Sequence, residues 1–357
     1  MSKNIKREQP EVSCRSISYL IGKAKDPQMK SMMEDDLLFK FKNILSIRSK
    51  SEIALKVLAT YAPDKMRSIV EQANINHLDG HKNSYDVLIL AIVPIEFITI
   101  KQYLNLKEED NQELSFKNYR FWECDIYNNR EKRNLRCLVT MIGDATNPRS
   151  AIATNSALSR FKFDLAILVG IAAGPKEETK LSDVIIANQI IDYENKRLEP
   201  DKIKNRPEPQ SINSGLRKQV GFFITSDIIR DGAFAKAYRE QEQSVVSSIL
   251  PDREVGPEIK FAPILAGDKL LADGLTIESL IDQYHDKARA VEMEANGFVL
   301  ACEDDNIPWL VFRGISDFGD PGKTGLKPYQ ANAAYSAILA CKLFLENQYS
   351  QVSGDTF

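Results

Sequence analysis

Three sets of acidic residues lie at or just beyond the ends of short apolar runs, where a buried strand gives way to a loop. Glu96 follows DVLILAIVP, Glu292 and Glu294 sit in AVEMEANG, and Asp317 lies in VFRGISDFGD. Carboxylates are rare in such places because desolvating a charge is costly unless it is partnered. Taken singly, each reads as a helix cap or a solvated turn residue. Taken together they describe a carboxylate-lined site at the strand ends, suited to general acid–base chemistry. The chain has three histidines, His77, His81 and His285, and none lies in an HExxH, a Cys2His2 arrangement or a nucleophile elbow. A zinc hydrolase or serine–histidine mechanism would therefore lack its usual residues, and no metal site is expected. Neither GxxxxGK[ST] nor a post-strand GxGxxG occurs, so no P-loop or dinucleotide fingerprint is present and no cofactor is expected. Acid–base work falls to the carboxylates.

These side chains need a scaffold that brings several strand ends together. DVLILAIV (86–93), CLVTMIG (137–143), LAILVG (165–170), DVIIAN (183–188), FAPILA (261–266), ARAVEM (289–294) and WLVFRG (309–314) each have the length of a buried strand. Helical stretches are expected at 150–161, 277–285, 295–304 and 328–347. Strands alternating with helices of this length predict an α/β domain with a mainly parallel or mixed central sheet covered on both faces, ligands lying at the strands' carboxyl ends. Residues 193–220, rich in Pro, Asn and Lys/Arg, read as a long irregular insertion. Arg197, Lys202, Lys204, Arg206 and Lys218 there could close over an anion. Residues 1–80 carry helical patterning at 16–23, 29–47, 51–61 and 63–73, which predicts a small all-α segment. It ends at the polar stretch NHLDGHKNS, where His77 and His81 read as solvated.

Composition narrows the class. Of 357 residues, 43% are hydrophobic and 27% charged, values of a water-soluble globular chain, and the length suits one large domain with a smaller one. Lys+Arg 47 against Asp+Glu 50 leaves a net charge of −3, so there is no global positive field to collect nucleic acid. The charged amino terminus lacks a secretory pattern, and no apolar run approaches the roughly 20 residues of a membrane-spanning helix. A cytoplasmic location follows as the expectation. The five scattered cysteines, Cys14, Cys124, Cys137, Cys302 and Cys341, form no CxxC pair and read as buried structural thiols of a reducing compartment.

The order of these motifs resembles the nucleoside phosphorylase superfamily, and within it the 5'-methylthioadenosine/S-adenosylhomocysteine nucleosidases. The resemblance spans residues 85–346. It runs from P-x-E (94–96), through the glycine-containing turn IGDATNPRSAIA, the strand–loop–strand DLAILVGIAAGPKEETKLSDVIIAN and the loop ILAGDKLLAD, to VEMEANG and RGISDFGD. The spaced pair VEMEA and R-x-I-S-D is its most specific part. The resemblance implies a three-layer phosphorylase-like domain over residues 85–348 and a homo-oligomer whose active site lies near a subunit interface. It implies that Asp317 protonates or hydrogen-bonds nitrogen 7 of a purine, with Ser316 orienting it, and that Glu96 positions and deprotonates the attacking water. Glu294 would accept from the ribose hydroxyls and Met293 would line the sugar's apolar face. The Leu271 backbone would read the adenine edge, while Leu270 stands where the methylthioadenosine nucleosidases stack an aromatic. Gly143 and Ala172 would border the substrate, and Arg149, with Ser150, falls near where phosphorylases bind phosphate.

IVPIEFIT lacks the arginine-bearing phosphate loop of true phosphorylases, which favours water as nucleophile. The P-x-E, the amino-terminal extension and the ending KTGLKPYQANAAYSAILA are similar to phosphorylase-type effector domains of NLR-like immune proteins, including anti-phage systems. Some of those act on adenine nucleotides, ATP included. The expected function is therefore purine N-glycoside hydrolysis releasing free adenine, with ATP or AMP among the substrates. If so, Arg149 or the basic insertion would hold the phosphates. Other readings stay open: a methylthioadenosine-type salvage nucleosidase, a phosphate-dependent purine nucleoside phosphorylase, or a non-enzymatic nucleotide sensor. Retention of Glu96, Glu294 and Asp317 argues against the sensor. Residues 1–80 would serve oligomerisation, partner docking or regulation, or simply pack.

Overall fold

A ten-stranded mixed sheet organises residues 84–317. The computed structural model describes residues 84–107, 114–199, 202–245, 256–269, 276–320 and 327–351. The helical expectations for residues 1–80, with Cys14, His77 and His81, lie outside the described residues. In chain order the elements are β1 (Ser84–Ala91), α1 (Pro94–Tyr103), β2 (Ser115–Phe116), β3 (Tyr119–Asn128), β4 (Arg133–Met141) and α2 (Asn147–Arg160). There follow β5 (Lys162–Ala173), β6 (Val184–Asp192), β7 (Lys196–Glu199), β8 (Lys202–Asn205), β9 (Pro209–Ser211) and α3 (Ser214–Ile224). The remainder are α4 (Asp227–Arg230), α5 (Ala233–Val245), β10 (Ile259–Ala266), α6 (Thr276–Tyr284), β11 (Ala290–Glu292), α7 (Ala295–Asp304), β12 (Trp309–Asp317) and α8 (Lys327–Asn347).

The strand order is β11-β10-β6-β12-β5-β1-β4-β3-β2, with β9 against β6. The central pairs β4–β1, β1–β5 and β5–β12 are parallel. β6 runs antiparallel to β12 and parallel to β10, which makes the sheet mixed. Val291 of β11 also pairs with Ala173 of β5, so five strands close on themselves. This closure brings the end of β11 against the end of β5, next to β12. Apolar runs in β1, β5 and β12 are buried throughout, as strands covered on both faces require, and each fully buried Leu, Ile or Val contributes about 1.5–3 kcal/mol. α8 packs along β12 and β5 at short range. A Cβ on Gly314 would sit 1.9 Å from Ala333 O, so only glycine allows that approach.

The expected segments appear with shifted ends. The run at 165–170 is the middle of a twelve-residue β5, and the run at 289–294 yields only three strand residues before α7 starts. Residues 193–220 are not an irregular insertion. β7 and β8 form an antiparallel hairpin, β9 pairs with residues 189–191 of β6 beyond its pairing with β12, and Asn213 caps α3 by accepting from Gly215 and Leu216 N–H. The turn signal Pro200–Asp201 and the cap signal Asn213 were both in the sequence, obscured by the density of charge. Among the described cysteines, Cys137, Cys302 and Cys341 are buried and Cys124 is partly exposed, all as free thiols. No helix among the described residues is long and apolar enough to cross a membrane.

Candidate active site

A cavity of about 200 Å³ opens where β1, β5, β11 and β12 end. Its lining includes Val93, Glu96, Ala145, Ile171, Ala172, Met293, Glu294, Ser316, Asp317 and Gln330. Three of the four carboxylates singled out at strand ends reach it from separate elements, and the fourth, Glu292, borders it too.

Glu96 occupies the first turn of α1, which begins with Pro94 immediately after Val93. Proline suits that position because its missing N–H would be unsatisfied there anyway. The Glu96 carboxylate folds back over the helix start. Its Oε2 accepts from Ile92 N–H (2.7 Å) and Val93 N–H (3.0 Å), and its Oε1 from Ile171 N–H at the end of β5 (2.8 Å). Three donors and the helix dipole favour the anion. Burial opposes them and prevails: it pushes the Glu96 carboxyl above the usual range, although Arg313 and the backbone donors pull it down.

Behind the cavity lies Arg313 of β12, with no side-chain exposure. Its Nη2 donates to Glu292 Oε2 and, at 3.2 Å, to Glu294 Oε2. Glu292 also accepts from Glu294 N–H (3.1 Å) and Ala295 N–H (2.9 Å), closing the amino terminus of α7. Glu292 and Glu294 share this one guanidinium where β11 stops at Glu292 and the chain turns into the helix. Three carboxylates thus surround one cation. Burial and the neighbouring Glu292 raise Glu294 to about 8, against the pull of Arg313. Burial works against the Arg313 charge, but the three carboxylates outweigh it and hold the guanidinium firmly protonated. Gly170 makes this cluster possible. A Cβ there would lie 2.2 Å from Arg313 Nη1 and 2.6 Å from Glu96 Oε1.

Asp317 is aimed by an irregularity in β12. Ile315 pairs with Ala172 and Asp317 with Ala173, so Ser316 is the extra residue of a bulge that turns the strand end toward the cavity. Gly319 N–H donates to Asp317 Oδ1 (3.0 Å) and Gly174 N–H to the Asp317 carbonyl (3.0 Å). The Ser316 hydroxyl lies 2.9 Å from Asp317 Oδ2 and 3.3 Å from Ala172 O, donating to one at a time.

The remaining candidates divide. Met293 and Ala172 line the cavity. Leu270 and Leu271 lie outside the described residues. Gly143 takes φ +96° in the exposed turn after β4; it is not itself in the lining, but its N–H donates to the carbonyl of Ile92, which is (2.8 Å). Arg149 is largely exposed on the first turn of α2, 3.6 Å from Asp144, and does not line the cavity either. Lys204, Arg206 and Lys218 of the charged insertion are exposed and also absent from the lining, while the side chains of Arg197 and Lys202 lie outside the described residues. Instead Lys269 is the one cation among the described residues of the lining, 2.9 Å from Glu194 Oε2. Its loop is tied down where Asp268 Oδ1 accepts from Asn147 N–H (3.1 Å) and Nδ2 (3.0 Å). Sequence reasoning missed Lys269, Gln330 and the part played by Arg313. Only Arg313 had a signal, a cation inside an apolar run that must find buried anions.

The model of the phosphorylase superfamily matches residues 98–346. The ATP nucleosidase Cap17 of Escherichia coli (strain KTE188) is 30% identical over 255 residues, 71% of this chain and 50% of that protein. The Death domain-containing ATP nucleosidase of Amphimedon queenslandica is 27% identical over 192 residues, 52% of this chain and 35% of that protein. The chain thus spans half the length, or less, of these curated relatives. Among solved structures, 5'-methylthioadenosine/S-adenosylhomocysteine nucleosidase from Neisseria meningitidis, in complex with methylthio-immucillin-A, superimposes with TM-score 0.52 at 16% identity, covering 74% of this chain and 99% of that one.

Proposed function

Because the chain belongs to the phosphorylase superfamily, we propose that it hydrolyses the N-glycosidic bond of an adenine nucleoside or nucleotide, with water as nucleophile and ATP as the leading substrate. One observation carries the reading: Glu96 and Asp317, both nearly excluded from solvent, meet in a single cavity. Cleaving this bond builds positive charge on the sugar and electron density on the departing base. An acid on the base and a base for water on the other side of the sugar are what that requires, as in other glycoside hydrolysis.

In this reading Asp317, steered by Ser316 and Gly319, donates toward nitrogen 7 of the purine. Glu96, held by three N–H groups, takes the proton of the attacking water; burial raises its basicity without removing its orientation. Glu294 accepts from the ribose hydroxyls and Met293 packs on the sugar. Lys269 offers a charge to an anionic substituent, in exchange for Glu194. Residues 85–348 form the catalytic domain, while residues 1–80 serve as an oligomerisation, docking or regulatory segment. Removal of adenine from ATP would suit a cytoplasmic antiviral effector working as a homo-oligomer.

Chromatography of free base from ATP, AMP, adenosine, methylthioadenosine, inosine and GTP tests the proposal. Adenine release without phosphate is expected, fastest from ATP, and Glu96→Gln should lower the rate by about 10²–10⁴-fold with adenine binding unchanged. A fully active Glu96→Gln, or release from methylthioadenosine alone, would refute the assignment of base or of substrate respectively.

A further inference from the structure

None of the described charged residues of 193–220 lines the cavity of Glu96 and Asp317, but Arg217 opens onto a second concavity. Arg217 of α3 joins Lys260 and Phe261 of β10, His285 and Lys287 after α6, and Arg289 before β11 around a groove of about 500 Å³. Among the described residues its lining holds five basic side chains and no carboxylate. Acids outside the lining pair with three of them: the buried Asp183 (2.8 Å) and Glu258 (3.7 Å) with Lys260, Glu178 with Arg289 (2.6 Å), and Asp286 stands 3.8 Å from His285. Arg217 and Lys287 enter no ion pair that the structure records. Arg217 donates one Nη2–H to Asn188 O (3.0 Å) and lies 5.8 Å from the centroid of Phe261.

The groove also has a floor of defined shape. Pro263 interrupts the pairing of β10 with β6, where the register slips between Ala262 and Ile264. On the facing stretch of β6, Asn188 Oδ1 is buried without a hydrogen-bond partner among the described residues. Clustered guanidinium and ammonium groups, a half-exposed aromatic face and an amide edge make up the chemistry that recognises a phosphorylated compound with a planar base.

We propose that this groove is a second, non-catalytic site for a nucleotide bearing two or more phosphates, with the phosphates on Arg217 and Lys287 and the base against Phe261. The site is placed to communicate with the cavity. Arg289 N–H bonds to Pro263 O, and three residues further along the chain Glu292 meets Arg313. This proposal stands independently of the hydrolysis reading.

Its test is equilibrium binding of ADP and of inorganic tripolyphosphate to the full chain, with hydrogen-exchange mapping, for the wild type and for the surface double variant Arg217→Glu/Lys287→Glu. The wild type should bind ADP more tightly than tripolyphosphate and gain protection at residues 214–219 and 285–289. The double variant should bind tripolyphosphate at least tenfold more weakly and lose that protection with either ligand, with adenine release from adenosine unchanged. Unchanged binding in the variant, protection confined to residues 92–96 and 314–317, or equal binding of ADP and tripolyphosphate would each overturn it.

Discussion

Asp317→Asn should lower adenine release by about 10²–10⁴-fold, the range set by losing a positioned general acid, while leaving substrate affinity close to that of the wild type. Asparagine has nearly the same shape and keeps an oxygen for Gly319 N–H, while its Nδ2–H can donate to the Ser316 hydroxyl, whose own hydrogen turns to Ala172 O, so β12 and its bulge should persist. What it lacks is a transferable proton. The loss should therefore fall on kcat rather than KM, the pattern of an interaction made in the transition state. It should shrink for a substrate analogue whose leaving group departs without protonation. A variant that loses binding and turnover together would assign Asp317 to holding the substrate instead.

Arg313→Met should be the most destabilising single substitution in the site, by about 3–5 kcal/mol, because breaking a buried ion pair strands its partners. Arg313 opposes the rise of both Glu96 and Glu294, and its removal lets both climb further. The sign of the pH dependence follows. A carboxyl whose folded pKa lies above its unfolded value contributes stability that is complete below the unfolded value and is lost as pH rises through the folded one. For Glu294 the window runs from about 4.5 to about 8 in the wild type, and further upward in the variant. Urea denaturation should accordingly find the variant's deficit small near pH 5 and largest above pH 8. A deficit independent of pH would show that Arg313 acts through packing alone.

The scaffold was largely legible because its strands are buried on both faces and so appear as uninterrupted apolar runs, β1, β5 and β12 most plainly. Glu96 and Asp317 could be read as candidates because each ends such a run. Arg313 escaped notice for the converse reason: in WLVFRG it looks like strand interior, and only tertiary structure brings Glu292 and Glu294 across to it. The bulge at Ser316 is a matter of register, which a single strand does not encode. The charge-dense stretch around β7 and β8 concealed a hairpin, while the one described cation of the cavity lining comes from the loop after β10.

The central claim is that water, admitted by Glu96, attacks the sugar carbon as Asp317 releases the base. Adenine release from ATP in phosphate-free buffer made with ¹⁸O-labelled water, followed by mass spectrometry of the sugar product, tests it most directly. The account predicts turnover without phosphate and one ¹⁸O atom on the anomeric carbon. Turnover that waits for added phosphate and yields a sugar 1-phosphate would contradict it.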